Sequence, residues 1–397
     1  MFADSAGFYN ESRLVSAAAA PFEPKYTNIQ WSTQADEKAG VPLTYEQSVL
    51  LPSGKQILRL KEADGSTEAV IDLPLESSRS CSGTILGSIL IQPVTSGVCA
   101  VDLSQNKVTI SQEFGGTIDS DCAVIDGMAY FSVRNNGTET MYCTDIGNGF
   151  SVIWEYSSDV DITSATVQGD YVIFGAGDTL VAHHYKEEIF CEIPVGADII
   201  EAPFASQYAV FFSDSTGHVG KLRLNSDGTM EQDSLVRCEV GASPSTPLQF
   251  NNSLYVSSET GLHILDSINM EITHTFETVR NGSTPFICRG NGERVYCIGK
   301  NEDRWEMHCT LNLGEDNAPT DQIIALMDDF TDGRSAVSKN GTLYFRDSMG
   351  RLFALTKVEY NIFMMVLKVI IMLALIAGVF IWIRMLGKRR SASMPKY

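Results

Sequence analysis

The chain has 397 residues, 44% of them hydrophobic and 20% charged, the composition of a folded protein that can bury a sizeable core without disulfide staples, and not of a disordered or collagen-like one. Its net charge is −20. Six of the 29 Lys and Arg and none of the 49 Asp and Glu lie beyond Tyr360, so the first 360 residues carry 23 basic against 49 acidic side chains, a net of −26, which argues against nucleic acid as a partner because like charge repels its phosphates.

Residues 1–24 read as an N-terminal extension. They lack a basic start and a continuous apolar stretch, so they do not have the make-up of a secretory signal. The next segment, TNIQWST (27–33), alternates as a strand does and carries Trp31. A strand–turn–strand unit then recurs. Its third strand is anchored on Ile57, Val98, Met141, Leu180, Val219, Leu262, Met307 and Leu352, at intervals of 41, 43, 39, 39, 43, 45 and 45 residues. Second strands follow a turn residue, as in GSILIQP from Gly87, GMAYFSV from Gly127 and GDYVIFG from Gly169, where glycine supplies the positive φ of a tight hairpin. First strands often open on Pro and an apolar residue, as at Pro203-Phe204 and Pro247-Leu248, a position that proline tolerates. Fourth strands read VTISQEF (108–114), FSVIWEY (150–156) and EEIFCEI (187–193).

A period near 40–45 with four short strands predicts an all-β fold, an eight-bladed β-propeller. The eighth unit runs out after three strands. TNIQWST resembles FSVIWEY, with Trp31 in the place of Trp154, so the N-terminal strand is expected to complete the last blade and close the ring, removing exposed sheet edges.

The links from a fourth strand to the next first strand are rich in acid. They hold Asp119 and Asp121 in IDSDC, Asp159 and Asp161 in SDVDIT, Asp198 and Glu201 in ADIIE, and Asp328, Asp329 and Asp332 in MDDFTDG. Gathered on one rim, such carboxylates can bind Ca²⁺ or a basic partner. None follows the calcium-loop spacing, and ordinary turn chemistry also favours Asp in links. No other motif carries chemistry. His183 and His184 are adjacent on a strand and so point to opposite faces. There is no HExxH, CxxC or G-x-S-x-G, and no helix follows GNG (147–149) or GAG (175–177) to make a phosphate loop. The chain is therefore expected not to be an enzyme and to need no cofactor, with calcium as the one candidate ion. Nine cysteines leave at least one unpaired, and Cys297 and Cys309 flank a turn across which a disulfide is one option.

Residues 362–383, from Ile362 to Ile383, read IFMMVLKVIIMLALIAGVFIWI with one charge, Lys368. As a helix they would extend about 33 Å and cross a ~30 Å hydrocarbon core. Arg384, Lys388, Arg389 and Arg390 follow, and positive charge stays cytoplasmic. The expectation is a single-pass membrane protein with the propeller at the cell surface and the tail inside. The domains expected are an extension (1–24), a propeller (25–358), a transmembrane helix (359–385) and a basic tail (386–397).

The repeat units resemble the pyrroloquinoline-quinone-like propeller repeat. The resemblance rests on the openings STPL (245–248) and STPF (283–286), the hairpins GMAY (127–130) and GTLY (341–344), the turns GVCAVD (97–102), GLHILD (261–266) and GRLFALT (350–356), and the Trp-bearing VIWEY (152–156). It covers roughly residues 25–358. That family holds quinone-dependent dehydrogenases and non-enzymatic assembly and sensor proteins. The dehydrogenases set the quinone over a disulfide between neighbouring cysteines, beside calcium. This chain has no adjacent cysteine pair, so the resemblance implies the non-enzymatic branch: an interaction scaffold binding a protein or envelope polymer through its loops. The alternatives are a quinone- or metal-dependent oxidoreductase, and a ligand sensor that signals through a membrane partner.

Overall fold

The computed structural model of the protein describes residues 5–6, 15–16, 27–37, 39–118, 120–186, 190–281, 283–290, 292–301, 304–312, 319–327, 336–337, 342–347, 349–357, 370–372 and 375–379. Period-two alternation of Val, Ile, Leu, Phe and Tyr makes strands along almost the whole of this length. Among the described residues the strands form eight antiparallel sheets, numbered here in chain order: 43–72, 84–113, 117–158, 166–194, 204–239, 248–276, 286–327 and 336–357. Within these ranges consecutive strands are neighbours, save that Thr117–Ile118 pairs with Met128–Asn135, so each range is a local antiparallel meander. The anchors Ile57, Val98, Met141, Leu180, Val219, Leu262, Met307 and Leu352 all fall on third strands.

The eighth sheet takes its outer strand from the other end of the chain. Its order is Thr27–Gln34, Arg351–Lys357, Leu343–Arg346, Ala336–Val337, and the Ala35 amide donates to the Gly350 carbonyl at 3.1 Å. The same strand reaches the first sheet. Trp31 Nε1 donates to the Glu62 carbonyl at 2.9 Å and Thr33 Oγ1 to the Gly65 carbonyl at 3.0 Å. Gly65 has φ +69°, and a Cβ there would lie 2.4 Å from Trp31 Cε3, so this turn requires glycine for both conformation and space. The extension before Trp31 also joins the sheets. Ser5–Ala6 pairs with the first strand of sheet 3, and Val15–Ser16 pairs in parallel with the first strand of sheet 7.

The core is a series of apolar layers between successive sheets. Leu50, Ile57 and Val101 pack sheet 1 on sheet 2, and Ile91, Phe131 and Val124 pack sheet 2 on sheet 3. Tyr130, Met141 and Phe174 join sheets 3 and 4, Phe212 and Leu222 join sheets 4 and 5, and Phe211, Leu254 and Tyr255 join sheets 5 and 6. Leu262 and Cys297 link sheets 6 and 7. Val49, Leu51, Tyr344 and Leu352, with Trp31 against them, return sheet 8 to sheet 1. Cys297 is a free thiol, and the register sets it opposite His308 and not opposite Cys309.

Several acidic residues close tight turns. Asp64, Asp102, Asp214 and Asp227 each accept from the backbone amide and the hydroxyl of a Ser or Thr two residues on, the side-chain mimic of a turn that suits Asp to these positions. These bonds hold the Asp64, Asp102 and Asp227 carboxyls below their ordinary range.

At the junction of sheets 3 and 4, His183 is buried against Trp154 with ring centroids 4.1 Å apart. Burial, and secondarily the neighbouring His184, push its pKa down to about 4. An unfolded chain takes up this proton near pH 6.5, so between pH 6.5 and 4 the unfolded state binds more protons and stability falls as the pH is lowered, by at most about 1.4 kcal/mol per pH unit for one group. The stability difference between pH 7 and pH 4.5, measured by urea unfolding, is expected to shrink in His183→Gln. An unchanged difference would assign the acid sensitivity to other groups.

A second compact unit spans residues 357–397, with described helical residues at 370–372 and 375–379. The expectation of a membrane-spanning helix over residues 362–383 is not met. Among the described residues no helix is long and apolar enough to cross a membrane. The expectation of a single-pass membrane protein is therefore not supported, and neither is bilayer binding through a C-terminal helix. Ile362, Lys368, Ile383, Arg384, Lys388, Arg389 and Arg390 lie outside the described residues.

Candidate functional site

Two successive links, from sheet 3 to sheet 4 and from sheet 4 to sheet 5, build the site. Each is pinned to the second strand of the sheet it enters. In the first, the Thr163 amide donates to the Gly175 carbonyl at 2.9 Å and the Gly177 amide to the Asp161 carbonyl at 3.0 Å. In the second, the Ile200 amide donates to the Ser213 carbonyl at 3.1 Å and the Ser215 amide to the Asp198 carbonyl at 2.8 Å. The matching bridges Ile162–Ala176 and Ile199–Asp214 make Asp161 and Asp198 equivalent. Ile162 and Ile199 are buried anchors, and with them fixed the neighbouring residues face outward.

The outcome is a cleft of about 740 Å³ that gathers Asp159, Asp161, Asp198 and Glu201 with Val160 and Ile200. The two aliphatic side chains are 50% and 40% exposed. Four of the nine acidic residues singled out in the sequence thus share one surface.

Glu139 sits beneath it with 2% of its surface exposed. It accepts from Ser132 Oγ at 2.6 Å, from Arg134 Nη2 at 2.8 Å and from the Ile162 amide at 3.0 Å. Arg134 also donates from Nη1 to Asp161 Oδ1 at 2.9 Å. The carboxylate therefore fixes the link through Ile162 and the guanidinium through a short ion pair, and Arg134 in turn holds Asp161. A buried carboxylate is tolerable only with such satisfaction.

Asp121 does not belong to this surface. It is buried, accepts from the Ser82 amide, and its own amide donates to Ser164 Oγ at 2.9 Å. It ties sheets 2, 3 and 4 together, which corrects its reading as a rim residue. Asp119, Asp328, Asp329 and Asp332 lie outside the described residues. Among the described residues no group of three or more His, Cys, Asp or Glu is arranged to hold a metal. The adjacent histidines diverge, His183 toward Trp154 and His184 toward Tyr171.

Arg134, Glu139, Val160 and Ile200 escaped the sequence reading. Glu139 did leave a signal. In TETMYCTD (138–145) it shares its alternation with the buried Met141 and Cys143, and an acid at an inward position demands a partner.

A second cavity, of about 990 Å³, lies at the opposite end of the strands, by the hairpins of sheet 1, lined by Glu46, Arg59, Lys61 and Glu68 among others. Its Arg59 is tied to the Leu103 carbonyl at 2.8 Å, to Ser48 Oγ at 3.1 Å and to Glu68 at 3.2 Å.

No family model matches the chain, and no curated protein sequence matches it. Solved structures do. BamB from Moraxella catarrhalis is similar with a TM-score of 0.63 at 13% identity, over 83% of this chain and 99% of that one. The computationally designed Ika8 protein gives 0.57 at 12% identity, over 86% and 98%. Hsv2 of Kluyveromyces lactis, with loop 6CD replaced by a Gly-Ser linker, gives 0.50 at 8% identity, over 76% and 99%. At these identities the likeness is one of fold: the sheet body is a β-propeller.

Proposed function

We propose that the chain is a non-catalytic interaction module: an eight-bladed propeller of the pyrroloquinoline-quinone-like repeat type, closed by Thr27–Gln34, that binds a protein segment in the cleft between sheets 3, 4 and 5. One observation carries the reading. Two aliphatic side chains stand exposed among carboxylates in a single concave surface, the mixture of apolar contact and charge that polypeptide recognition uses. The acidity of the whole body supports protein over nucleic acid as the partner. Fold alone assigns no function, so the weight rests on the cleft.

A photo-crosslinking residue placed at Ile200 is expected to form adducts with a distinct partner in the cells that make the protein. The same residue at Val152, which is exposed on the outer strand of sheet 3, is expected to give none. Equal labelling from both positions, or none from 200, would remove the cleft as the binding surface.

A further inference from the structure

Equivalent positions in neighbouring sheets differ in a telling way. The Ser132 amide donates to Ser120 Oγ at 2.5 Å, and the Gly175 amide donates to Thr163 Oγ1 at 2.9 Å. These bonds align Ser132 with Gly175, and hence Arg134 with Gly177. In sheet 3 the arginine supplies a guanidinium to Asp161 at 2.9 Å. In sheet 4 the residue at that place is glycine, and among the described residues no cationic side chain is paired with Asp198. The link amides follow suit. Ile162 donates to the Glu139 carboxylate at 3.0 Å, whereas Ile199 donates to the Gly177 carbonyl at 2.8 Å. A side chain at Gly177 is not accommodated as the turn stands, because φ is +54° and a Cβ would lie 2.7 Å from Val160 Cγ2. The fold thus fills one acidic link with its own guanidinium and leaves the next equivalent link open, beside exposed aliphatic surface.

Resting on the protein-binding reading above, we infer that the cleft takes an arginine of an extended partner segment on Asp198 and Asp159, with the arginine's methylene stem and adjacent aliphatic residues against Val160 and Ile200. Arg134 on Asp161 is the internal precedent for the contact. Guanidinium suits the site because it forms directed bonds to carboxylates while its stem covers apolar surface.

The test uses the full chain and a short fluorescein-labelled peptide in which arginine alternates with valine, read by fluorescence anisotropy at low and at physiological salt. Binding is expected, and is expected to vanish when citrulline replaces arginine. Asp198→Asn should weaken it roughly tenfold, the loss of one charge-assisted bond, and Ile200→Ser should also weaken it. Glu46→Gln, at the opposite end of the strands, should leave it unchanged. Both carboxylates are exposed, so the variants are expected to melt as the parent does. Equal weakening by Asp198→Asn and Glu46→Gln would show a diffuse response to net charge and overturn the inference. So would competition by spermidine as strong as by unlabelled peptide, or an absence of peptide binding. If the peptide fails while crosslinks from position 200 persist, the arginine assignment falls and the protein-binding reading stands. If both fail, both fall.

Discussion

Deletion of residues 1–34 is expected to destabilise the sheet body more than any single substitution. It removes the outer strand of sheet 8, exposing Arg351–Lys357 as an edge and uncovering the layer of Val49, Leu51, Tyr344 and Leu352. It also removes the side-chain bonds from Gln30, Trp31 and Thr33 to the Ala63, Glu62 and Gly65 carbonyls. A loss well beyond the ~1 kcal/mol of an average point mutant follows. Because such a deletion can abolish folding outright, Trp31→Ala provides the graded version. Trp31 is half-buried, which sets its cost at about 3 kcal/mol, the low end for truncating a core tryptophan. Gly65→Ala should act in the same direction by pressing a methyl on the indole. The two should be non-additive, since truncating the tryptophan makes room for the methyl. Urea unfolding followed by far-UV circular dichroism reads all three. Trp31→Ala at parental stability would reduce the N-terminal strand to an accessory.

The second large effect is expected at Glu139. Its carboxylate satisfies a hydroxyl, a guanidinium and a backbone amide in a nearly water-free place. Glu139→Ala strands the Ile162 amide and Ser132 Oγ and takes from Arg134 its buried carboxylate partner, at a cost of about 3–5 kcal/mol, the range for breaking a buried pair from one side. Glu139→Gln keeps the volume and part of the bonding and should cost less. Arg134→Ala should cost less still, about 1 kcal/mol, because the guanidinium is 42% exposed and solvent screens its pairing. Chemical denaturation ranks the three. An order with Arg134→Ala as the most damaging would mean that the guanidinium, and not the carboxylate, organises the link.

Some of this was legible in the sequence for simple physical reasons. The repeat was, because a pleated strand shows its two faces to the eye as alternation and a tight hairpin needs Gly or Asn. Every third-strand anchor from Ile57 to Leu352 therefore fell on a strand. Trp31 was recognisable by its likeness to Trp154, and both are half-buried on outer strands. The acidic surface was half legible. Asp161 and Asp198 precede the buried anchors Ile162 and Ile199 and face outward. Asp121 follows Ser120, the counterpart of Thr163, and so enters the interior three positions further along the link. Composition is blind to that offset, because hydrogen bonds to the next sheet set it. The Arg134–Glu139 pair lies on facing positions of one hairpin, where a surface ion pair and a buried one look alike in sequence. The apolar run at 362–383 read as a membrane span because hydropathy reports the preference of side chains, whereas a span also needs a long continuous helix, and among the described residues no helix is long and apolar enough.

The pairing of Thr27–Gln34 with Arg351–Lys357 also fixes an order in time. A ribosome that has made Thr27–Gln34 must add about 320 more residues before its partner exists, which at roughly 5–20 residues per second takes about 16–64 s. Each meander in between can form as it emerges, since its strands are sequence neighbours. Thr27–Gln34 must wait, as Val15–Ser16 must for the first strand of sheet 7, its edge open to any other chain that offers a strand. Folding of this protein should therefore show a late step whose rate depends on joining the two ends, slow because loop closure over such a distance comes before any contact rewards it.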